Sequence, residues 1–596
     1  MLRRRIAFAL VATALLVAAV PAPIVGGAGT HSPTPPDPSV TVPPASGTDA
    51  VAGGPSPALA DATTPAGGDP VCPRPTDAAE TPSDPRIVEL YPNPTTHGNA
   101  GEYLVVETPP ETNLGNWTIT DGHTTARLPN ETVSGRIALT TAPETTRELT
   151  DDPVAELEGT LRLAADGDDL ELRDGDRVAD AVAYDRAPTA ERWYRTGGDA
   201  GDAPARGEWW PRGATCLPVS TADADEATAF VLPDGPGVPR ETIRSADDRL
   251  LLAGYTVTDD EIADDLVAAA DRGVDVSVLL EASPVGGTPA ATASVLETLE
   301  RGGVDVRVVG GRDARYRYHH PKYAVADETV LVTTENWKAS GIGGESSRGW
   351  GVRVENDRLA ADLAAVFEAD FEGWDTESGT SYLENASFAE DEPAPLREFD
   401  STHEPETVPV DSAELLLAPE NAEGRLGELL ASADDEILIK QASIAADVSL
   451  LQEAIDAARR GVDVRILLDS SWYVEEENGA LVDELERTAD EEELPLEAAL
   501  VEEGDAFEKI HAKGIVIDRE TVVVGSANWN DNSLRNNREV LLAVHGSAAA
   551  NYYATVFEDD WNGETWSLPI ELSATVVVAL VCAAIVGRRY VRFGSE

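Results

Sequence analysis

Cysteine, lysine and methionine are nearly missing from this 596-residue chain, which holds three Cys, one Met and five lysines beside 40 arginines. So few cysteines exclude a disulfide framework, and no Cys/His set has zinc spacing. No Walker or Rossmann glycine pattern stands out, and no metal or other cofactor is expected. Positive charge is scarce overall, because 45 basic residues face 108 acidic ones and leave a net charge of −63 spread across the folded regions. Such acidity argues against simple electrostatic affinity for nucleic acid, which needs a basic stripe and weakens as salt rises. A nucleic acid held locally at a basic mouth stays open.

The few lysines are not scattered at random. Lys322 and Lys513 each follow a histidine by two positions, in His320-Pro-Lys322 with Asp327 and in His511-Ala-Lys513 with Asp518, and the second is followed by Gly525-Ser526-Ala527-Asn528. Ile515-Val516-Ile517 and Val522-Val523-Val524 read as buried strands around an Asp-Arg-Glu turn. Residues two apart on a strand share a face, so each His and Lys should point together, with His319 on the opposite, structural side. A neutral imidazole beside a fixed ammonium suits attack on an anionic ester: the cation holds the anion and the ring supplies a nucleophile or a proton. Ser526 and Asn528 add hydrogen-bond donors. The two lysine positions favour a point charge over a guanidinium fork.

These residues resemble the phospholipase D superfamily, the HKD phosphodiesterases, whose signature is His-x-Lys-x4-Asp followed by Gly-Ser-x-Asn. The second copy fits it fully. The resemblance implies two motifs meeting at a pseudo-twofold interface, a phosphohistidine on one His, general acid and then base catalysis by the other, and no metal. It implies His320 and His511 as the catalytic pair within motifs completed by Asp327 and Asp518, with Lys322, Lys513, Asn336 and Asn528 as the phosphate clamp. His320 is assigned as nucleophile, and Glu539, in Asn537-Arg538-Glu539-Val540, as the carboxylate that orients a catalytic histidine.

The first copy departs from this pattern. Its gap after Asp327 is one residue shorter, and Thr333-Thr334-Glu335-Asn336 replaces Gly-Ser-x-Asn. Thr334 still offers a hydroxyl, whereas Glu335 brings a carboxylate near the phosphate site. Downstream, Arg348-Gly-Trp-Gly351 carries no carboxylate where copy two has Glu539. The halves are unequal, which fits unequal roles for the two histidines and equally a weakened or inactive enzyme. The segment Arg312-Asp-Ala-Arg315-Tyr-Arg317-Tyr-His-His-Pro-Lys322, extended by Arg535 and Arg538, reads either as an anion-attracting mouth or as a loop paired to neighbouring acids.

An internal repeat carries both motifs. Ser245-Ala-Asp-Asp-Arg-Leu-Leu-Leu recurs at Ser432, and Arg272-Gly-Val-Asp-Val recurs at Arg460. The pattern predicts two α/β sandwich repeats, roughly 218–375 and 410–565 with a 376–409 linker, forming a pseudo-twofold pair. Helical periodicity over 261–270 and 450–458 ends near Arg-Gly in each, followed by continuous apolar runs suited to strands buried on both faces.

Arg3-Arg4-Arg5 and the apolar residues after it have the layout of a secretory signal over 1–28, or of an uncleaved anchor. Residues 568–587 are apolar apart from Glu571 and precede Arg588 and Arg589, so a transmembrane helix with a cytoplasmic tail is expected and the repeats face outward. Residues 29–84 read as a disordered Pro/Thr/Ala/Gly spacer. Short alternating strands over 85–195, among them 87–90, 103–106, 117–120, 161–163 and 170–172, predict an immunoglobulin-like β-sandwich. Its Asn116-Trp-Thr-Ile-Thr-Asp-Gly and Leu170-Glu-Leu-Arg-Asp-Gly resemble a lamin-tail domain, which implies binding or spacing with an unknown partner. A bridge between Cys72 and Cys216 is expected on the exported side. Asn116, Asn130 and Asn385 begin glycosylation sequons. The composition resembles a salt-adapted, haloarchaeal-type surface, since molar salt shrinks the Debye length to about 3 Å and makes self-repulsion tolerable.

Two classes of function follow. One is a membrane-anchored, extracellular phosphodiesterase that cleaves or transfers phosphodiesters, a monomer with both motifs in one chain, with phospholipid slightly ahead of nucleic acid as substrate. The other is a non-catalytic surface adhesion or phosphate-binding protein.

Overall fold

The computed structural model describes residues 82–563, apart from 95, 148, 151, 197–203, 213, 216, 312–313, 391–396 and 502–505. The expected signal, the Cys72–Cys216 bridge and the apolar stretch 568–587 lie outside the described residues, as does nearly all of the spacer. Among the described residues no helix is long and apolar enough to cross a membrane.

Residues 86–211 form two sheets of six and five strands around a core that includes Ile87, Leu104, Trp117, Ile119, Leu172 and Trp193. Trp117–Thr120 is a strand as expected, whereas 161–163 is not, and the strand Gly207–Pro211 extends the sandwich past the expected end at 195.

Each repeat is a mixed sheet with helices. In the first, the strands run Thr376–Ser378, Asp305–Val309, Asp275–Glu281, Arg249–Gly254, Tyr323–Ala326, Thr329–Thr333, Ser347–Glu355, Glu226–Leu232 and Glu406–Pro409 across the sheet. In the second they run Ser220–Asp223, Ser412–Ala418, Glu539–His545, Thr521–Gly525, Lys513–Ile517, Glu436–Gln441, Asp463–Leu468 and Leu496–Leu500. The repeats therefore trade edge strands. Ser220–Asp223, counted with the first repeat on sequence, pairs with Ser412–Ala418 of the second. Glu406–Pro409, counted as linker, completes the first sheet against Glu226–Leu232.

The repeated Arg-Gly is a helix stop. Helix Asp260–Arg272 starts at Asp259, whose carboxylate accepts from the Glu261 and Ile262 N–H groups, and ends at Gly273 with φ 97°. Helix Ser449–Arg460 ends in the same way at Gly461, φ 101°. A left-handed residue at this position closes the last carbonyls, and glycine adopts it without steric cost.

One apolar core runs between the two sheets. It contains Trp350, Val352 and Val354 from the first repeat and Val522, Val540 and Leu542 from the second, with Phe367 and Phe557 from the helices Asp357–Phe371 and Ser547–Asn562. Each such side chain contributes about 1.5–3 kcal/mol on burial, so the two repeats share one core.

Candidate active site

The site is built by strands that cross from one repeat to the other. The His320 backbone N–H donates to the Arg538 carbonyl at 3.0 Å, and the His511 N–H donates to the Arg348 carbonyl at 2.9 Å. Each arginine is pinned by one carboxylate of its own repeat and one of the other. Arg538 is fully buried against Asp370 at 2.9 Å and Glu420 at 2.7 Å. Arg348 meets Asp560 at 3.1 Å and also binds Asp234. The pseudo-twofold arrangement is thus visible in single hydrogen bonds.

Each histidine ring faces a carboxylate. His320 Nδ1 lies 3.0 and 2.9 Å from the two oxygens of Glu539. His511 Nδ1 lies 3.2 Å from Glu335 Oε2. The lysines fold back beside them: Lys322 Nζ donates to the His320 carbonyl at 2.5 Å and Lys513 Nζ to the His511 carbonyl at 2.8 Å. Burial pushes the His320 imidazole down to about 4 against the upward pull of Glu539, and it pushes His511 down to about 3 with help from the Lys513 charge. Both rings are neutral at pH 7. Burial also lowers the lysines, Lys513 to about 8 and Lys322 well below its usual value. Burial pushes the Glu335 carboxyl up, yet the attraction of His511, felt in full only when that ring is charged, and the Lys513 ammonium outweigh it and hold it below the usual carboxylate range. Glu539 therefore fixes the neutral His320 ring by hydrogen bonds, whereas Glu335 stands in close contact with His511 Nδ1 without hydrogen-bond geometry, and each Nε2 is left for a substrate.

All five lysines bear on this place. The charges of Lys338 and Lys509 are felt by Lys322 and Lys513 respectively, and Lys440 is buried on Asp560, the same acid that holds Arg348. Asn336 is buried with its Oδ1 unpartnered, and Asn528 is half-buried. The Thr334 and Ser526 hydroxyls accept from the Trp350 and Val540 N–H groups at 3.0 and 3.1 Å, and the Ser526 O–H donates to the Val540 carbonyl at 3.4 Å.

Several sequence expectations change here. Asp327 and Asp518 follow the strands that His320 and His511 precede, about 20 Å along an extended chain. Asp327 accepts the N–H groups of Asp247, Asp248 and Arg249 at 2.8–3.0 Å. Asp518 does the same for Asp434, Asp435 and Glu436 at 2.7–3.0 Å. Both are braces for the repeated Ser-Ala-Asp-Asp turn rather than members of the reacting group. The basic mouth is also reduced: Arg315 is buried on Asp375 at 2.7 Å, Arg535 pairs with Glu423 at 2.7 Å, Arg538 is the buried pin, and Arg312 is outside the described residues. His319 is structural as expected, buried 3.3 Å from Asp370. Tyr255 is a residue that sequence reading missed. Its ring stands edge-on to His320 at 4.5 Å and lies 5.2 Å from Lys322 Nζ; no motif marked it.

Residues 240–371 and 426–561 match the family model described as cardiolipin synthase, PLD-like domain. The chain carries two PLD-like domains. Among solved structures it is similar to a phosphatidylserine synthase of Haemophilus influenzae, at 14% identity over 57% of this chain and 87% of that one with a TM-score of 0.43. A polyphosphate kinase of Porphyromonas gingivalis matches at 14% identity over 60% and 55% of the two chains, TM-score 0.38. Nuc, a phospholipase D family member of Salmonella typhimurium, matches at 20% identity over 27% of this chain and 98% of its own, TM-score 0.23. No curated protein matches the chain.

Proposed function

We propose that this protein is a metal-independent phosphodiesterase that works through a phosphohistidine, with a phospholipid as the favoured substrate. The observation that carries the reading is the crossed pair of His–carboxylate contacts, each beside a buried lysine. Lys322, Lys513, Asn336 and Asn528 would hold the phosphate oxygens. His320 Nε2 attacks phosphorus and the P–O bond to the leaving group breaks, while protonated His511 gives its Nε2 proton to the departing oxygen. Water then attacks phosphorus, His511 takes its proton, and the P–N bond breaks. The bound phosphate anion supplies the charge that raises the pKa of His511 enough for it to arrive protonated. His320 is assigned as nucleophile because both oxygens of Glu539 hold its ring.

Two features favour a lipid. Large apolar side chains are exposed close to the site: Trp472 at 87%, Val285 at 76% and Tyr473 at 50%. Val285 donates its N–H to Tyr255, the neighbour of His320, and Tyr473 lies 5.6 Å from Lys509 Nζ. Exposed apolar groups beside a catalytic opening suit a membrane surface. In addition, helix Ser547–Asn562 ends beside the site, where Asp560 holds Lys440 and Arg348, and the apolar stretch 568–587 follows within a few residues.

The test is turnover by the full chain in detergent, molar salt and chelator, with a phosphatidylcholine micelle, a chromogenic diester and single-stranded DNA as substrates. Diester and lipid cleavage lost in both His320→Ala and His511→Ala is the expected result. DNA cleavage with intact lipid would make it a nuclease, and a folded protein silent on all three would make it a binding protein.

A further inference from the structure

The carboxylate that serves His511 does not come from the position that serves His320. Register can be read from matching hydrogen bonds. Thr334 N–H donates to the Trp350 carbonyl at 2.9 Å and Trp350 N–H donates to Thr334 Oγ1 at 3.0 Å. In the second repeat, Ser526 N–H donates to the Val540 carbonyl at 3.0 Å and Val540 N–H donates to Ser526 Oγ at 3.1 Å. Thr334 therefore corresponds to Ser526 and Trp350 to Val540. One residue further on the loop, Glu335 corresponds to Ala527. One residue earlier on the strand, Gly349 corresponds to Glu539. The second repeat has a small residue on the loop and the acid on the strand, and the first repeat has the reverse.

The two changes depend on each other. A Cβ placed on Gly349 would lie 2.3 Å from Glu335 Cγ and 2.7 Å from its Oε1, closer than real contacts allow. Gly341 closes the other side, where a Cβ would lie 2.8 Å from Glu335 Oε2. Glu335 is 1% exposed, and between these glycines its Oε2 comes to 3.2 Å from the Nδ1 of His511. A buried acid of this kind, held ionised beside Lys513, would be costly without such a partner.

We infer that Glu335 is the positioning residue of His511, moved from strand to loop, and that Gly349 is glycine to give it room. This rests on the histidine-based reading above. Glu335 takes no proton in the reaction: its contact with Nδ1 favours the ring proton there, sets the tautomer, and so presents Nε2 to the leaving group and then to water.

The experiment compares wild type, Glu335→Gln, Glu335→Ala, Gly349→Glu and the double variant Glu335→Ala/Gly349→Glu in the full chain. Turnover of the chromogenic diester should fall about 100-fold in Glu335→Ala. Gly349→Glu alone should be equally poor, since two carboxylates cannot share the space. The double variant should return to within about tenfold of wild type, because it rebuilds on the strand the arrangement that Glu539 has. Imidazole ¹⁵N spectra supply a readout independent of turnover: His511 should carry its proton on Nδ1 in wild type and in the double variant, and lose that preference in the isosteric Glu335→Gln. An unchanged tautomer in Glu335→Gln, or a double variant no better than Glu335→Ala, overturns the inference. A tautomer that changes in a protein cleaving no diester would uphold it while defeating the phosphodiesterase reading.

Discussion

His320 and His511 occupy half-sites made from corresponding strands, yet their surroundings differ. His320 has both oxygens of a strand carboxylate within 3.0 Å and the Tyr255 ring at its edge. His511 has one oxygen of a loop carboxylate at 3.2 Å, and its side chain is 22% exposed against 12% for His320. The more enclosed ring is suited to attack, where orientation and a free lone pair count most. The more open ring is suited to pass a proton to a leaving group and take one from water. Duplication supplied two similar frames, and the difference between them lies in what fills the frames.

The sharpest way to break this comparison is to change the leaving group. His320→Ala should lose about 10³-fold or more on both alkyl and p-nitrophenyl diesters, since no other group forms the bond to phosphorus. His511→Ala should lose as much on the alkyl ester, yet still release one equivalent of nitrophenolate per enzyme in a burst, because that oxygen leaves without a proton. A burst in His320→Ala instead would exchange the roles. Next in size are the pins. Arg538→Met strands Glu420 and Arg348→Met strands Asp234, while Asp370 keeps His319 and Asp560 keeps Lys440, so each should cost about 3–5 kcal/mol in urea unfolding measured in molar salt. Equal losses would show that the two frames are equally tight, and a milder loss for Arg348 would place the slack on the His511 side.

Much of this was legible in the chain itself. The repeats, the two His-x-Lys pairs and the Arg-Gly helix stops are local patterns, and period-two alternation correctly put His319 on the far face. The edge-strand exchange was not legible, because Ser220–Asp223 and Glu406–Pro409 are short and carry no signal of which sheet they join. Glu335 was visible as an irregularity, but only the fold brings it to His511, 176 positions later in the chain. The reading of Asp327 and Asp518 followed motif membership, whereas their own backbones, at φ 52° and 51°, identify them as turn residues. Arg315 and Arg535 looked available because sequence does not show that Asp375 and Glu423 reach them.

The brace aspartates give a smaller effect that is matched between the repeats. Asp327→Ala and Asp518→Ala each remove an acceptor shared by three N–H groups and place alanine at a positive φ, so each should cost about 2 kcal/mol. Asp→Asn tolerates that backbone and keeps one acceptor, and should cost less. Turnover per folded molecule should persist in both Asn variants at saturating substrate. A collapse of turnover without loss of stability would return these residues to the reacting group.

The smallest effect is the acid dependence of stability. A histidine near 6.5 in the unfolded chain and near 4 or 3 in the fold binds fewer protons when folded, so stability falls as pH drops through 6.5. For His320 the loss continues to about pH 4, and for His511 to about pH 3. The depressed Glu335 acts in the same direction but only below its unfolded value of about 4.5. Glu102, Glu191 and Glu281, which burial pushes up to about 7, act in the opposite direction between 7 and 4.5, so the histidine part is read from the difference between wild type and variant. Since both rings reach solvent at one edge, their combined contribution from pH 6.5 to 5 should be a loss of about 2 kcal/mol rather than the full linkage value. His320→Gln and His511→Gln should each raise the urea midpoint at pH 5 relative to that at pH 6.5 when compared with wild type. His511→Gln should also remove the part of the decline that continues below pH 4. Should that variant keep the wild-type slope, the His511 ring is better hydrated than its strand and loop surroundings indicate, and the two half-sites are more alike in charge than in shape.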